Sequence, residues 1–262
     1  MSEIVQVDRH GAVAVVTINK PDQRNALDAA LKAALKCALT EAAEADDVRA
    51  VVLTGAGSAF CVGQDLAEHA GALSVDPDRA FDTVMDDYAF ITRMLTTMPK
   101  PVIAAVNGTC VGAGLGFVLA CDLRVFADDA TLGTAFTAIG LTCDSGLSWT
   151  LPRAVGDPRA RDLILSARTF APADAVSWGV TGEIVPREEV LSTAIGQAEK
   201  LGKRATAAFA ETKLLLSGSL HRTLEQSLAD ESTAQRRLGQ TEDHVNAVAA
   251  FLTKQAPAFS GR

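Results

Sequence analysis

Residues 101–117 read PVIAAVNGTCVGAGLGF, and the order of residue types in that stretch decides the fold class. Val102 to Val106 is a short, unbroken apolar run with valine at both ends, the pattern of a strand buried on both faces. It runs into the turn pair Asn107-Gly108. A glycine-rich segment, Gly112 to Gly116, then opens an apolar helix that ends near Cys121, and Asp122 to Ala127 reads as strand again. Strand, glycine turn, helix and strand in this order predict an α/β fold with a parallel sheet.

The same grammar extends upstream. Arg49 to Thr54 (RAVVLT) is a β-branched run that ends at Gly55-Ala56-Gly57, a buried strand followed by a turn. Asp28 to Ala45 carries apolar residues at helical spacing, with Asp28 placed to cap its N-terminus. Ile4 to Val7 and Ala12 to Ile18 read as a hairpin turning at His10-Gly11. Asp78 to Thr97 reads as one helix that stops before Pro99 and Pro101.

From Arg187 onward the pattern is helical, with Thr206 to Leu216 and Leu220 to Leu238 as helices and no strand between them. This predicts a core over residues 1–200 and a helical lobe over 201–262, either an oligomerisation element or a lobe folded over its own active site. There is no internal repeat of fixed period.

Composition narrows the function. The 262 residues are 48% apolar with 5% aromatics, enough for a sizeable core built from Ala, Val and Leu. A net charge of −8 argues against general nucleic-acid binding, which needs clustered cations, but leaves room for an anionic small molecule at a helix N-terminus. Cys37, Cys61, Cys110, Cys121 and Cys143 form no CxxC pair and no metal spacing, so they read as buried free thiols. The N-terminal MSEIVQVDRH lacks a signal-peptide core, and no apolar stretch is long enough to span a bilayer; a cytoplasmic protein without membrane association is expected.

Two glycine-containing segments, each after a buried strand, can carry chemistry: AFCVGQDL at 59–66 and NGTCVGAG at 107–114. Glycine lets a ligand approach main-chain N–H groups closely, and a turn that opens a helix leaves such groups free to face negative charge. Two of them aimed at one carbonyl oxygen would form an oxyanion hole. Glycine turns also occur for packing alone. A dinucleotide site is disfavoured, because Gly112-Ala113-Gly114-Leu115-Gly116 breaks the GxGxxG spacing and no ribose-binding acid follows at the right distance. From the residues alone, packing turn and ligand site remain open.

The pair AFCVGQDL and PVIAAVNGTCVGAGLGF, one helix apart, resembles the signature of the crotonase (enoyl-CoA hydratase/isomerase) superfamily. The likeness extends to Asn25-Ala26-Leu27, Cys121-Asp122-Leu123, Leu151-Pro152-Arg153 with Gly156, and the ending Phe251 to Phe259. The resemblance implies a crotonase-type spiral of ββα units with a C-terminal helical lobe, and an acyl-CoA thioester as substrate. It implies that the main-chain N–H groups of Gln64 and Ala113 hold the thioester oxygen. Arg24, Ala26 and the stretch Gln64, Asp65, Leu66, Ala67 match positions that contact the CoA moiety, as does Ala113. No metal or separate cofactor is implied, since coenzyme A enters as part of the substrate. A homotrimer or a dimer of trimers is implied as the assembly.

Hydratases of the superfamily carry two glutamates in the pocket, and the matching positions here are Gly116 and Phe136. Neither can activate water. One carboxylate stands at a position that is catalytic in some members: Asp144, within GLTCDSG. The stretch AFTAIGLTCDSGLSWTLPR resembles the 1,2-epoxyphenylacetyl-CoA isomerase and Δ3,Δ2-enoyl-CoA isomerase branch, where a single acid/base moves a proton. Asp144 can instead be a helix N-cap before an apolar helix, or Ser145 can cap and leave Asp144 free. The leading expectation is an isomerase with Asp144 as its acid/base.

Two alternatives stand beside it: a dehalogenase-like enzyme with a nucleophilic aspartate, and an acyl-CoA-binding protein without catalysis. Against the first, Phe136 replaces the tryptophan that accompanies the nucleophile there, and no histidine is placed as base. Asp65 and Asp122 read as structural carboxylates, and Glu68 and His69 as a solvated face that could edge an acyl pocket. His10, His221 and His244 carry no signal, and Trp149 and Trp178 read as packing residues. Phe126, Phe136 and their Ala- and Leu-rich surroundings suggest an apolar acyl pocket.

Overall fold

The chain leaves one sheet for another and returns, three times over, and this winding sets the site. The structure, a computed structural model, describes residues 3–261, the side chain of Leu220 excepted. Met1, Ser2 and Arg262, at the outer ends of the expected core and lobe, lie outside the described residues. The strands are β1 (Val5–His10), β2 (Val13–Ile18), β3 (Ala50–Gly55), β4 (Ala59–Cys61), β5 (Val102–Val106), β6 (Thr109–Val111), β7 (Leu123–Ala127), β8 (Leu132–Gly133), β9 (Thr169–Phe170) and β10 (Glu183–Val185).

The larger sheet has the order β1-β2-β3-β5-β7-β10 and the smaller one β4-β6-β8-β9. β1 and β2 form the expected antiparallel hairpin, with His10 opposite Val13 and Gly11 at φ +57°. The remaining pairs of the larger sheet are parallel, as are β4–β6 and β6–β8. Each of β3, β5 and β7 therefore hands the chain to a short partner in the second sheet. After β4 and β6 a helix follows, Leu66–Val75 and Ala113–Ala120 respectively. These repeated strand–strand–helix turns are the spiral that the family resemblance implies.

β3 is buried along its whole length, and its side chains alternate between two cores, the period-two consequence of the pleat. Val51 and Leu53 join Val16, Ala104 and Phe126 on one side. Ala50 and Val52 join Val15, Ile103 and Val125 on the other, against Val190, Ala194 and Ala198 of the helix Val190–Gly202. Among the described residues no helix is long and apolar enough to cross a membrane.

Several local readings are corrected. The single helix expected over Asp78 to Thr97 is three pieces: a 3-10 turn Arg79–Phe81, a π-helical turn Val84–Tyr88 and an α-helix Ala89–Thr97. Asp76 draws the start out of helical register by accepting from the Asp78 and Arg79 N–H groups, both at 3.2 Å. The helix expected from Leu220 begins at Leu224, where Thr223 and Gln226 close a reciprocal capping box. Cys61, Cys110 and Cys121 are buried free thiols, but Cys143 is half-buried and Cys37 is exposed on the outer face of the helix Ala29–Glu44.

The helices beyond residue 200 are fastened to the core by a buried ion pair. Lys213, on the helix Thr206–Gly218, reaches Asp122 at 2.9 Å and the Leu95 carbonyl at 2.8 Å. Asp122 also accepts from the Val102 N–H at 2.8 Å, so it has the structural role expected of it. Burial raises the Asp122 pKa above the ordinary carboxylate value, with Lys213 opposing the shift. Lys213→Met leaves this carboxylate buried without its partner, and breaking such a pair costs about 3–5 kcal/mol. Without Lys213 the Asp122 pKa rises further, so the penalty is largest at high pH, where the charged form dominates, and fades as the pH falls and Asp122 protonates. Thermal unfolding is therefore expected to show a Tm deficit for Lys213→Met that is larger at pH 8 than at pH 5. A deficit independent of pH would contradict the assignment.

Candidate active site

The site begins with Asn25. It is fully buried at φ +59°, a left-handed conformation that asparagine tolerates better than most residues. Its side chain accepts from the Lys20 N–H at 2.9 Å and donates to the Ala56 and Ala59 carbonyls at 3.0 and 2.7 Å. These bonds fix the loop that presents Leu27. The Leu27 N–H donates to the Gly63 carbonyl at 2.8 Å, and the Asp65 N–H donates to the Leu27 carbonyl at 3.1 Å. In this bridge the Gln64 N–H faces away from Leu27, and among the described residues no main-chain or side-chain acceptor takes it up. Asp65 then caps the helix Leu66–Val75, accepting from the Ala67 and Glu68 N–H groups at 3.0 Å each.

The second segment follows the same plan. Gly112, at φ +58°, turns the chain from β6 into the helix Ala113–Ala120, and its N–H donates to the Gly133 carbonyl at 3.1 Å. Ala113 is the first residue of that helix, so its N–H has no partner within the helix. The two turns touch. A Cβ built on Gly63 would lie 3.6 Å from the Ala113 nitrogen, and one on Gly112 would lie 3.8 Å from the Gly63 Cα. Gln64 and Ala113 both line one open cleft, together with Tyr88, Phe136, Leu141 and Asp144.

Asp144 is half-buried there and accepts from the Ser145 hydroxyl at 2.7 Å. Burial raises its pKa above the ordinary carboxylate value, against the opposing effects of the Ser145 bond and the Lys32 charge. The helix-cap alternative is not what the structure shows. The N-cap of the helix Leu147–Val155 is Gly146, and neither the Asp144 carboxylate nor the Ser145 hydroxyl caps it. Only the Asp144 main-chain carbonyl joins that turn, accepting from the Leu147 N–H at 2.9 Å.

The two positions without glutamate have distinct physical causes. A Cβ on Gly116 would lie 2.5 Å from the Ser145 Cβ and 2.7 Å from the Ser145 carbonyl oxygen. The loop that carries Asp144 thus fills the space in which a side chain at 116 would start. Phe136 is buried, with its ring edge 4.0 Å from where a Gly112 Cβ would stand, so it forms apolar wall beside the second turn.

The structure brings Gln64, Ala113 and Asp144 to one cleft. Leu66 borders it as well, while Ala67 is exposed on the same first helical turn. Ala26 is half-buried beside Leu27. Arg24 is exposed at φ +51° and donates to the Thr109 hydroxyl at 3.0 Å, next to the start of β6. Glu68, expected on a solvated face, is exposed yet accepts from the Ala29 N–H at 3.0 and 3.1 Å, which caps the helix Ala29–Glu44. His69 edges the cleft, its ring against Phe81 at 5.2 Å. Among the described residues no group of three or more His, Cys, Asp or Glu could hold a metal ion.

Three polar residues were not singled out from sequence. Thr83 and Tyr88, five apart across the π-helical turn, both line the cleft. Lys32 stands behind its wall, 3% exposed, bonded to Thr83 at 2.7 Å and to Gln64 at 3.3 Å. The available signal was a lysine at the Leu31, Leu35, Leu39 face of an amphipathic helix. Burial, and after it the Asp144 charge, push the Tyr88 hydroxyl well above its usual range, so it stays a donor.

The fold and this pair of amides define a known class. The model of the enoyl-CoA hydratase/isomerase family matches residues 8–262, and the chain belongs to that family. It is similar to the 1,2-epoxyphenylacetyl-CoA isomerase of Escherichia coli, at 34% identity over 266 residues and 100% of both chains. It is also similar to the 2,3-dehydroadipyl-CoA hydratase of Escherichia coli, at 33% identity with 100% of both chains covered. A crystal structure of an enoyl-CoA hydratase from Bacillus anthracis superposes with a TM-score of 0.91 at 32% identity, covering 99% of this chain and 100% of that one. The family is settled, and its members' names divide between hydration and isomerisation.

The crowding at Gly116 makes a direct forecast. Gly116→Glu is expected to lower Tm and to give no gain in crotonyl-CoA hydration, since its first side-chain carbon already meets Ser145. A variant as stable as the parent that hydrates crotonyl-CoA faster would contradict this.

Proposed function

We propose that this chain is an acyl-CoA isomerase that holds a thioester enolate between two main-chain amides and moves one proton with Asp144. The observation that carries the proposal is the content of the cleft: Gln64, Ala113 and Asp144 border it together, and Asp144 is the one carboxylate among its described lining residues.

The chemistry follows from that set. With a 3-enoyl-CoA, the Asp144 carboxylate takes a proton from the carbon next to the thioester carbonyl. The electron pair moves onto the carbonyl oxygen, where the Gln64 and Ala113 N–H groups offset the new charge, the latter aided by its helix N-terminus. The Asp144 carboxylic acid then returns the proton two carbons further along, which leaves a 2-enoyl-CoA and a carboxylate ready for the next cycle. One acid/base suffices, whereas adding water asks for a second group to position it. Burial makes the Asp144 carboxylate a stronger base than an exposed one. The apolar wall of Val62, Leu66, Phe81, Val84, Phe136 and Leu141 suits an unsaturated or ring-derived acyl group.

The proposal extends to assembly and compartment. Leu224, Leu228, Val245, Val248, Phe251 and Leu252 lie exposed on the C-terminal helices, which supports a trimer or a dimer of trimers built through them. Free buried thiols support a cytoplasmic setting.

Asp144→Asn is expected to lower kcat for a 3-enoyl-CoA by about 10²- to 10⁴-fold while the acyl-CoA ester still binds. The wild-type profile is expected to lose activity as pH falls through the Asp144 pKa, at a pH above that of an ordinary aspartate. Unchanged turnover in Asp144→Asn would overturn the proposal. Wild-type hydration of crotonyl-CoA that outpaces isomerisation would replace it with a hydratase.

A further inference from the structure

Gln64 contributes a main-chain N–H to the oxyanion position, so its side chain has no evident duty there. It is nevertheless held firmly. Its Oε1 accepts from both the Tyr88 hydroxyl and the Lys32 ammonium, the latter at 3.3 Å. Tyr88 is 2% exposed and Lys32 is 3% exposed. Lys32 also donates to the Thr83 hydroxyl at 2.7 Å and lies 3.8 Å from Asp87. Asp87 is fixed in turn by Lys36 at 2.5 Å and by the Thr83 hydroxyl at 2.8 Å.

Stability alone does not call for a lysine at this position. Lys32 lies on the apolar face of its helix beside Leu31 and Leu35, where an apolar side chain would avoid desolvating an ammonium. The π-helical turn Val84–Tyr88, which brings Thr83 and Tyr88 to the same side, is a rarer geometry than the α-helix, one found often at functional sites. Both local departures meet at Gln64 Oε1.

We propose that Tyr88 and Lys32 are positioning residues that clamp the Gln64 side chain and thereby hold the Gln64 N–H on the thioester oxygen; this rests on the oxyanion reading above. The Gly63 carbonyl is tied to Leu27 on the other side of the same peptide. Gln64 is therefore held from both sides, and the amide between has little freedom to swing. An oxyanion donor of fixed direction is worth most when charge develops, and small misplacement is costly in rate.

The test is a double-mutant cycle on kcat with Tyr88→Phe, Gln64→Leu and the pair, read on a 3-enoyl-CoA. Tyr88→Phe keeps the ring and removes the donor. It is expected to lower kcat about 10- to 100-fold with KM little changed, the split that marks loss of an interaction made in the transition state. In the Gln64→Leu background the same substitution is expected to have no further effect, because the carbonyl it served is gone. Additive effects on kcat, or a change confined to KM, would overturn the clamp.

A second readout separates the clamp from the proposed function. The carbonyl stretch of a bound saturated acyl-CoA, taken by infrared difference spectroscopy, is expected to fall relative to free ester in wild type and in Asp144→Asn, and to fall less in Tyr88→Phe and Lys32→Met. A full shift retained in both of the latter would overturn the clamp alone. No shift in wild type would overturn the oxyanion reading and the clamp with it.

Discussion

Everything at this site depends on the contact between two glycine turns, one at Gly63 and one at Gly112. Each has positive φ, and they approach until a Cβ on either would reach the other's backbone at 3.6 to 3.8 Å. A Cβ at either point would only make ordinary van der Waals contact, so it is the positive φ of each turn, not crowding, that calls for glycine. The approach brings Gln64 and Ala113, whose main-chain N–H groups find no acceptor among the described residues, to one cleft. The rest of the fold serves to hold that contact. The parallel pairing of β4 with β6 sets the two segments side by side, and the Asn25 loop pins the first of them through Leu27. Gly114 lets the second helix press on β4, since a Cβ there would stand 2.6 Å from the Cys61 carbonyl oxygen.

On the isomerase proposal, the lack of glutamate at 116 and 136 is a question of space around this fixed frame. In this chain the Asp144–Ser145 loop lies where a side chain at 116 would begin, and Phe136 fills the other position with ring. A carboxylate at 116 and the present course of this loop exclude one another. Moving the carboxylate from the helix to the loop also changes its surroundings, since Asp144 is raised by burial and restrained by one hydroxyl rather than by a second acid.

Much of this was legible in the sequence, for physical reasons. Val102 to Val106 and Arg49 to Thr54 announce buried parallel strands because both faces must be apolar, and the glycines announce turns because other residues resist positive φ. Strands of two or three residues, such as β4, β6 and β8, are too short to show a period, so the second sheet was invisible except through resemblance. The π-helical turn at Val84–Tyr88 was hidden for another reason. Its residues satisfy a helical pattern, and what breaks that pattern is tertiary: Lys32 and Lys36 draw Thr83 and Asp87 inward. Asp144 could be placed on its loop by sequence, but whether its carboxylate capped a helix was decided only by where Gly146 begins the next one.

The central claim is that the Gln64 and Ala113 amides hold the thioester oxygen. It is tested most directly by amide NMR of the two residues, free and with a saturating non-reacting acyl-CoA ester. Both amide protons are expected to move downfield on binding, by more than those of neighbouring Gly63 and Gly112, as each gains an acceptor it lacks in the free chain. Unmoved signals from Gln64 and Ala113 while the ester is bound would contradict the claim.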